Sequence, residues 1–327
     1  FVIELKDASK VDVTSKRKMV APSVLRASNF DVSNDKVTLS FKNGLLQGMK
    51  RKGDGNDKSM MISNNLYYYI GYGSPGIKGQ RYRERDNRDP HLQNLEPRAS
   101  AARSDQSTQE SGAYIFRPSQ ADGSDLTPVG DVETTVSRGD MVTEVRQKFA
   151  DWATQTIRLR KGSDLVELEW TVGPIPIDDE MGKEVISKFE TDLDSQELIY
   201  TDANGREFQE RLKNYRPTWD LRNGNGESEP VGGNYYPVTA GAYIKDDQKG
   251  LQLSILTDRA QGGASLASGQ MEFMVHRRLL ADDSRGVAEA LNETIGGMDP
   301  YPTWERKGDG IVVSGTHYLL LSDIHDA

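Results

Sequence analysis

Two carboxylates stand side by side at Asp282-Asp283, inside the run His276-Arg277-Arg278-Leu279-Leu280-Ala281-Asp282-Asp283-Ser284-Arg285-Gly286. Basic residues flank the pair on both sides. Arg–carboxylate forks can lock such a loop, or leave one Arg aimed into a polar site. Hydrolysis by a carboxyl pair needs the two groups roughly 5–9.5 Å apart across the substrate. Adjacent residues on a strand point to opposite faces, so adjacency alone does not provide that spacing. The other pairs, Asp178-Asp179 and Asp246-Asp247, read as solvated turns.

Other chemistries find little support. The four histidines, His91, His276, His317 and His325, form no HxxxH, HxH or HxD arrangement. A metal site from this chain alone would gather ligands from distant points, so they read as structural or surface residues. There is no cysteine, hence no disulfide, thiolate nucleophile or Cys-ligated metal. Ser111-Gly112 and Ser268-Gly269 are not GxSxG elbows, and Gly71-Tyr72-Gly73 lacks the third glycine of a dinucleotide loop. Tyr67-Tyr68-Tyr69, Trp219 and Asn234-Tyr235-Tyr236-Pro237 set aromatic rings beside turns. Such rings can stack on sugar faces, and core packing explains them equally well.

The elements that must position these residues are strands. Val37, Leu39 and Phe41 alternate with polar neighbours before Lys42-Asn43-Gly44, a hairpin turn signal. Ile157 and Leu159, then Val166, Leu168, Trp170 and Val172, keep the period of two around Lys161-Gly162-Ser163. Leu251, Leu253 and Ile255 repeat it, as do Met271, Phe273 and Val275; Ile311-Val312-Val313 and Tyr318-Leu319-Leu320-Leu321 form the last strong run. No amphipathic helix of ~12 residues and no βαβ rhythm appears, which excludes Rossmann and complete TIM-barrel architectures. The expected fold is all-β, a large β-sandwich. Residues 1–28 read as the end of a preceding small β domain with a linker, and residues 29–327 as the sandwich. Residues 74–112 are almost wholly polar and predict a long surface loop.

The chain has 327 residues and a net charge of −9. An acidic surface argues against nucleic acid and against anionic membranes, and no apolar run reaches the ~18–20 residues of a membrane span. The first residues, Phe1-Val2-Ile3-Glu4-Leu5-Lys6, include no initiator Met and no signal-peptide pattern. They read as the interior of a longer precursor. Asn292-Glu293-Thr294 is a glycosylation sequon, with Asn292 as the candidate acceptor.

Taken in order, several segments resemble one family. Ser111-Gly112-Ala113-Tyr114-Ile115-Phe116-Arg117-Pro118 is similar to the SGAYxFRP stretch of class II, lysosomal or vacuolar-type α-mannosidases of glycoside hydrolase family 38. Val172-Gly173-Pro174-Ile175-Pro176-Ile177, Gly182-Lys183-Glu184-Val185, Tyr200-Thr201-Asp202-Ala203-Asn204-Gly205-Arg206-Glu207, Asn214-Tyr215-Arg216-Pro217, Gly233-Asn234-Tyr235-Tyr236-Pro237, Leu256-Thr257-Asp258-Arg259 with Gln261-Gly262-Gly263, and the run from His276 to Val287 follow in the family's order. The chain departs from lysosomal members in lacking cysteine.

The resemblance implies the C-terminal β region of such an enzyme, with a galactose-mutarotase-like super-sandwich. It places the nucleophile, the acid/base carboxylate and a zinc site in an upstream catalytic domain, and none of these in this chain. It implies that Tyr114 and Arg285 reach the substrate and that Asp282 and Asp283 hold the loop. The implied partners are the N-terminal catalytic domain of the same precursor and a mannose-containing oligosaccharide, with a homo-oligomer left open. The implied address is lysosome or vacuole, or secretion. The rival reading is a noncatalytic carbohydrate-binding or structural β-sandwich.

Overall fold

The computed structural model describes residues 23–25, 29–53, 57–77, 109–120, 122–218, 229–295 and 309–324. In chain order the strands are β1 (Ser23–Leu25), β2 (Phe30–Ser33), β3 (Val37–Lys42), β4 (Leu45–Arg51), β5 (Lys58–Ile70), β6 (Thr127–Pro128), β7 (Glu133–Arg138), β8 (Val142–Ala150), β9 (Ala153–Arg160) and β10 (Val166–Val172). They continue as β11 (Lys183–Thr191), β12 (Leu198–Asp202), β13 (Phe208–Leu212), β14 (Tyr236–Val238), β15 (Gly241–Asp246), β16 (Leu251–Thr257), β17 (Gln261–Ala264), β18 (Gln270–Arg278) and β19 (Val313–Asp323). A single 3-10 turn, Gly232–Asn234, is the one helical element among the described residues.

Two antiparallel sheets result. The first has ten strands in the order β1-β7-β8-β9-β10-β19-β16-β15-β12-β13; the second has nine, in the order β14-β17-β18-β11-β5-β4-β3-β2, with β6 on β5. Their inner faces meet in one core. Leu39, Leu46, Phe189 and Phe273 come from the second sheet, and Ile157, Leu168, Leu253 and Leu319 from the first. Each is at most 1% exposed, so each side chain contributes about 1.5–3 kcal/mol by leaving water. This is the all-β sandwich that the alternation predicts.

The turn signals work as their chemistry requires. Asn43 (φ 51) and Gly44 (φ 79) join β3 to β4, the pair of left-handed residues that a tight hairpin needs.

β11 differs from the half-buried strands. Lys183, Glu184, Val185, Ile186 and Ser187 are buried in succession, so both faces of the strand are covered. Val185 and Phe189 belong to the clusters between the sheets. Ile186, on the opposite face, packs with Tyr69, Val231, Phe116 and Tyr235. The segments around Phe116 and Val231 therefore roof the outer side of the second sheet.

Ser23–Leu25, expected upstream of the sandwich, pairs antiparallel with β7 as part of the ten-stranded sheet; residues 1–22 lie outside the described residues. The polar loop over 74–112 has anchored ends. Ser74 and Ser111 are buried, and Ser111 N–H donates to the Tyr72 carbonyl at 3.0 Å; residues 78–108 lie outside the described residues. Ile311 and Val312 precede β19 rather than forming it, and they are 40% and 46% exposed.

Candidate functional site

The site grows from the end of β5. Gly71 bridges to Pro118, and Tyr72 N–H donates to the Arg117 carbonyl at 2.9 Å. The returning segment, residues 109–118, is thus laid along the strand's continuation. Gly112 N–H donates to the Ile115 carbonyl at 3.0 Å and closes a tight turn. Tyr114 sits at its tip with 67% of its surface exposed.

Asp283 holds this turn from one side. Its carboxylate is buried, and Oδ2 accepts the backbone N–H groups of Tyr114 at 2.6 Å and Ile115 at 3.0 Å. Oδ1 accepts the N–H of Arg285 at 3.1 Å. One carboxylate therefore fixes the backbone beneath both Tyr114 and Arg285. Gly112 must be glycine for this approach, since a Cβ there would lie 2.6 Å from Asp283 N. Arg285 is exposed and donates to the Gln109 side-chain oxygen, while Gln109 Nε2 donates to the Asp283 carbonyl at 2.7 Å. Asp282, also buried, accepts Ser284 N–H at 3.2 Å and supports the left-handed turn at Ser284 (φ 58).

Arg277 holds the turn from the other side. Its Nη2 donates to the carbonyls of Gly112 and Ile115, both at 2.9 Å, and Nη1 to that of Ala113 at 3.4 Å. The same guanidinium forks onto Glu184, by Nε and by Nη2 at 3.0 Å. Ser111 Oγ donates to Glu184 Oε1 at 2.6 Å. Burial works against the Arg277 charge, but contact with Glu184 outweighs it and the guanidinium pKa is raised.

A β-bulge creates this pairing. Ile186 lies opposite Met274 and Val185 opposite His276, so Val275 is the extra residue, and Glu184 then faces Arg277. Unbroken alternation from Met271, Phe273 and Val275 would send Arg277 toward the core. The bulge turns it to the outer face, which is how bulges re-aim side chains beside sites.

The model for the glycosyl hydrolases family 38 C-terminal domain matches residues 32–285. The chain belongs to glycosyl hydrolase family 38. It is 49% identical to lysosomal alpha-mannosidase of Bos taurus over 215 residues, which is 66% of this chain and 19% of that protein. It is 44% identical to an alpha-mannosidase of Canavalia ensiformis over 213 residues, 65% of this chain and 20% of that protein. The chain thus spans about a fifth of the length of the curated relatives it matches. An alpha-mannosidase structure from Enterococcus faecalis covers 93% of this chain and 30% of its own, with a TM-score of 0.51 and 11% identity, a likeness of fold alone.

In this family 38 domain the four residues singled out by motif lie together. Tyr114 and Arg285 are exposed, while Asp282 and Asp283 are buried beneath them. Arg277, from that cluster, forks onto Glu184, and Asp283 binds backbone N–H groups. Sequence reading gave no role to Glu184, Ser111 or Gln109. Ser111 and Glu184 lay inside segments that carry the resemblance, but nothing local marked them as partners of Arg277.

Asn292 is a correction. It is fully buried, and its Oδ1 accepts Arg278 Nε at 2.7 Å. The folded domain leaves no room for a glycan there. The remaining candidates also sort by burial. Tyr69 and Tyr235 donate their hydroxyls to Glu272, at 3.0 and 2.5 Å, beneath Phe116. They are packing residues, as is Tyr236, whose ring is contacted by the guanidinium groups of Arg211 and Arg216. Trp219 lies outside the described residues.

Zinc finds no fitting donor set among the described residues, where no three His, Asp or Glu side chains gather as ligands. His276 Nε2 is engaged with the Ile311 carbonyl at 3.0 Å. His317 is buried among Trp170, Phe189 and Phe273, and burial drops its pKa to about 3. His91 and His325 lie outside the described residues.

Proposed function

We propose that this chain is the C-terminal β region of a retaining α-mannosidase that removes terminal α-mannose from N-glycan oligosaccharides. In this reading the Tyr114–Arg285 end of the sandwich completes the substrate pocket of an upstream catalytic domain. The observation that carries it is the shared anchor: Asp283 fixes the backbone of both exposed side chains. Family membership and the alpha-mannosidase names of the relatives support the reaction class.

The retaining reaction needs two carboxyl groups, one as nucleophile and one as acid/base. Both belong to the upstream domain. Zinc bound there would hold sugar hydroxyls and favour ring distortion. This chain supplies directed polar groups. The Tyr114 hydroxyl can donate to a sugar oxygen or to the nucleophile region. The Arg285 guanidinium adds fixed positive charge and planar donors, steadied by Gln109. Preorganised donors of this kind favour a transition state because they need no rearrangement when charge develops. The lysosomal name of the animal relative supports a lysosomal address, with vacuole or secretion as the other destinations of the family.

The test uses the full-length protein. Arg285→Ala should lower kcat/KM on an aryl α-mannoside by ~100-fold, the scale of losing one preorganised donor, with an unchanged melting temperature. Tyr114→Phe should act in the same direction. Unaltered kinetics in both variants would remove the assigned roles and leave the sandwich as a noncatalytic or structural module.

A further inference from the structure

We infer that Arg277 and Glu184 are positioning residues for Tyr114, acting through the backbone of the turn that carries it. The inference rests on the reading that Tyr114 faces substrate. Neither residue is placed to touch a sugar. Glu184 has no exposed surface, and Arg277 spends its donors on Glu184 and on carbonyls.

The turn from Gly112 to Ile115 is clasped between opposite charges. Its N–H groups at Tyr114 and Ile115 point to the Asp283 carboxylate. Its carbonyls at Gly112, Ala113 and Ile115 point to the Arg277 guanidinium. Charged partners make backbone hydrogen bonds roughly twice as strong as neutral ones, so this short turn is held without strand neighbours of its own. Every carbonyl that Arg277 takes lies within two residues of Tyr114. That is the distribution expected of a device aimed at one side chain, rather than of an ion pair serving the whole sheet.

Glu184 fixes the clamp. A largely buried guanidinium needs a buried carboxylate, and Glu184 accepts from it in a fork while Ser111 Oγ donates to a further lone pair at 2.6 Å. The planar guanidinium reaches carboxylate and carbonyls at once; a lysine ammonium has neither the fork nor the span. The bulge at Val275 is part of the clamp, because without it Arg277 would not lie on this face.

The experiment compares Arg277→Lys, Glu184→Gln, Tyr114→Phe and the Arg277→Lys/Tyr114→Phe double variant in the full-length protein. Two readouts are combined: steady-state kinetics on an aryl α-mannoside, and amide exchange resolved to residues 109–118. Arg277→Lys should speed exchange in that segment by ~10-fold or more while β5 and β10 keep wild-type rates, since residues held by one lost contact open locally. It should lower kcat by ~10-fold with a smaller change in KM, and the double variant should be no worse than the weaker single, as expected of residues acting as a unit. Multiplied losses in the double variant, or faster exchange throughout the sandwich, would overturn the inference. If Tyr114→Phe alone is as active as wild type, the substrate-facing reading fails instead, and the exchange result still decides whether Arg277 holds the turn. Should Arg277→Lys not fold, Ser111→Ala removes the hydroxyl from Glu184 while keeping both charges, and the same local exchange decides.

Discussion

The Asp283 carboxylate accepts the Tyr114 backbone N–H at 2.6 Å across 169 residues of sequence. The bond joins the loop after β18 to the turn before Phe116, and the same carboxylate also accepts Arg285 N–H. Asp283→Asn keeps the shape but can turn its amide nitrogen toward the two donors of the turn. It should destabilise the protein by about 1–3 kcal/mol, the cost of buried polar groups left unmatched. It should also lower mannosidase activity beyond what Arg285→Ala does alone. Urea unfolding and kinetics on the purified full-length variant check both.

Glu272 gives stability an acid dependence. Its carboxylate is buried; burial raises its pKa above the ordinary 4.5, and the hydroxyls of Tyr235 and Tyr69 offset this only in part. Lys188 on β11 is the charge that opposes the shift, and Glu184 and Asp125 add negative charge at the two phenols. A raised pKa means that the folded state holds the proton more tightly. The contribution is complete below the unfolded value of 4.5 and is lost as pH rises through the folded value. Glu272→Gln keeps an acceptor for both phenols and should flatten this limb of a stability–pH curve. An unchanged slope would show that Glu272 does not titrate in that window.

His317 acts in the opposite sense. Its folded pKa of about 3 lies below the ordinary 6.5, so the folded state refuses a proton that the unfolded chain accepts. Its contribution is complete above 6.5 and is lost as pH falls toward 3. Between pH 7 and pH 5 it should cost about 2 kcal/mol. His317→Phe should abolish that loss, measured as the change in urea midpoint between the two pH values.

Asn292 should carry no glycan in material from a secretory host, as intact glycopeptide mass spectrometry would show. Asn292→Ala should destabilise the fold by about 1–3 kcal/mol, because Arg278 Nε loses its buried acceptor.

The strands were legible because one face of each is dry. Leu39, Leu168, Leu253 and Phe273 mark that face by alternation alone. Asn43-Gly44 was legible because few residues adopt two successive left-handed conformations. The order of strands was not, since alternation says nothing about partners: β10 pairs with β19 through Trp170 opposite Gly315, far along the chain. Tyr114, Arg285 and Asp283 were singled out through motif resemblance, and the fold brings them together. Glu184 was not, because its partner is chosen by a bulge at Val275 that no residue type announces. Asn292 misled because a sequon records acceptor chemistry and not burial.

The most direct test is a crystal structure of the full-length protein with a mannose-configured iminosugar in its catalytic pocket. The account predicts the Tyr114 hydroxyl and the Arg285 guanidinium in the pocket wall, within about 3 Å of ligand or nucleophile oxygens. A pocket closed without them, with both side chains facing solvent, would contradict it.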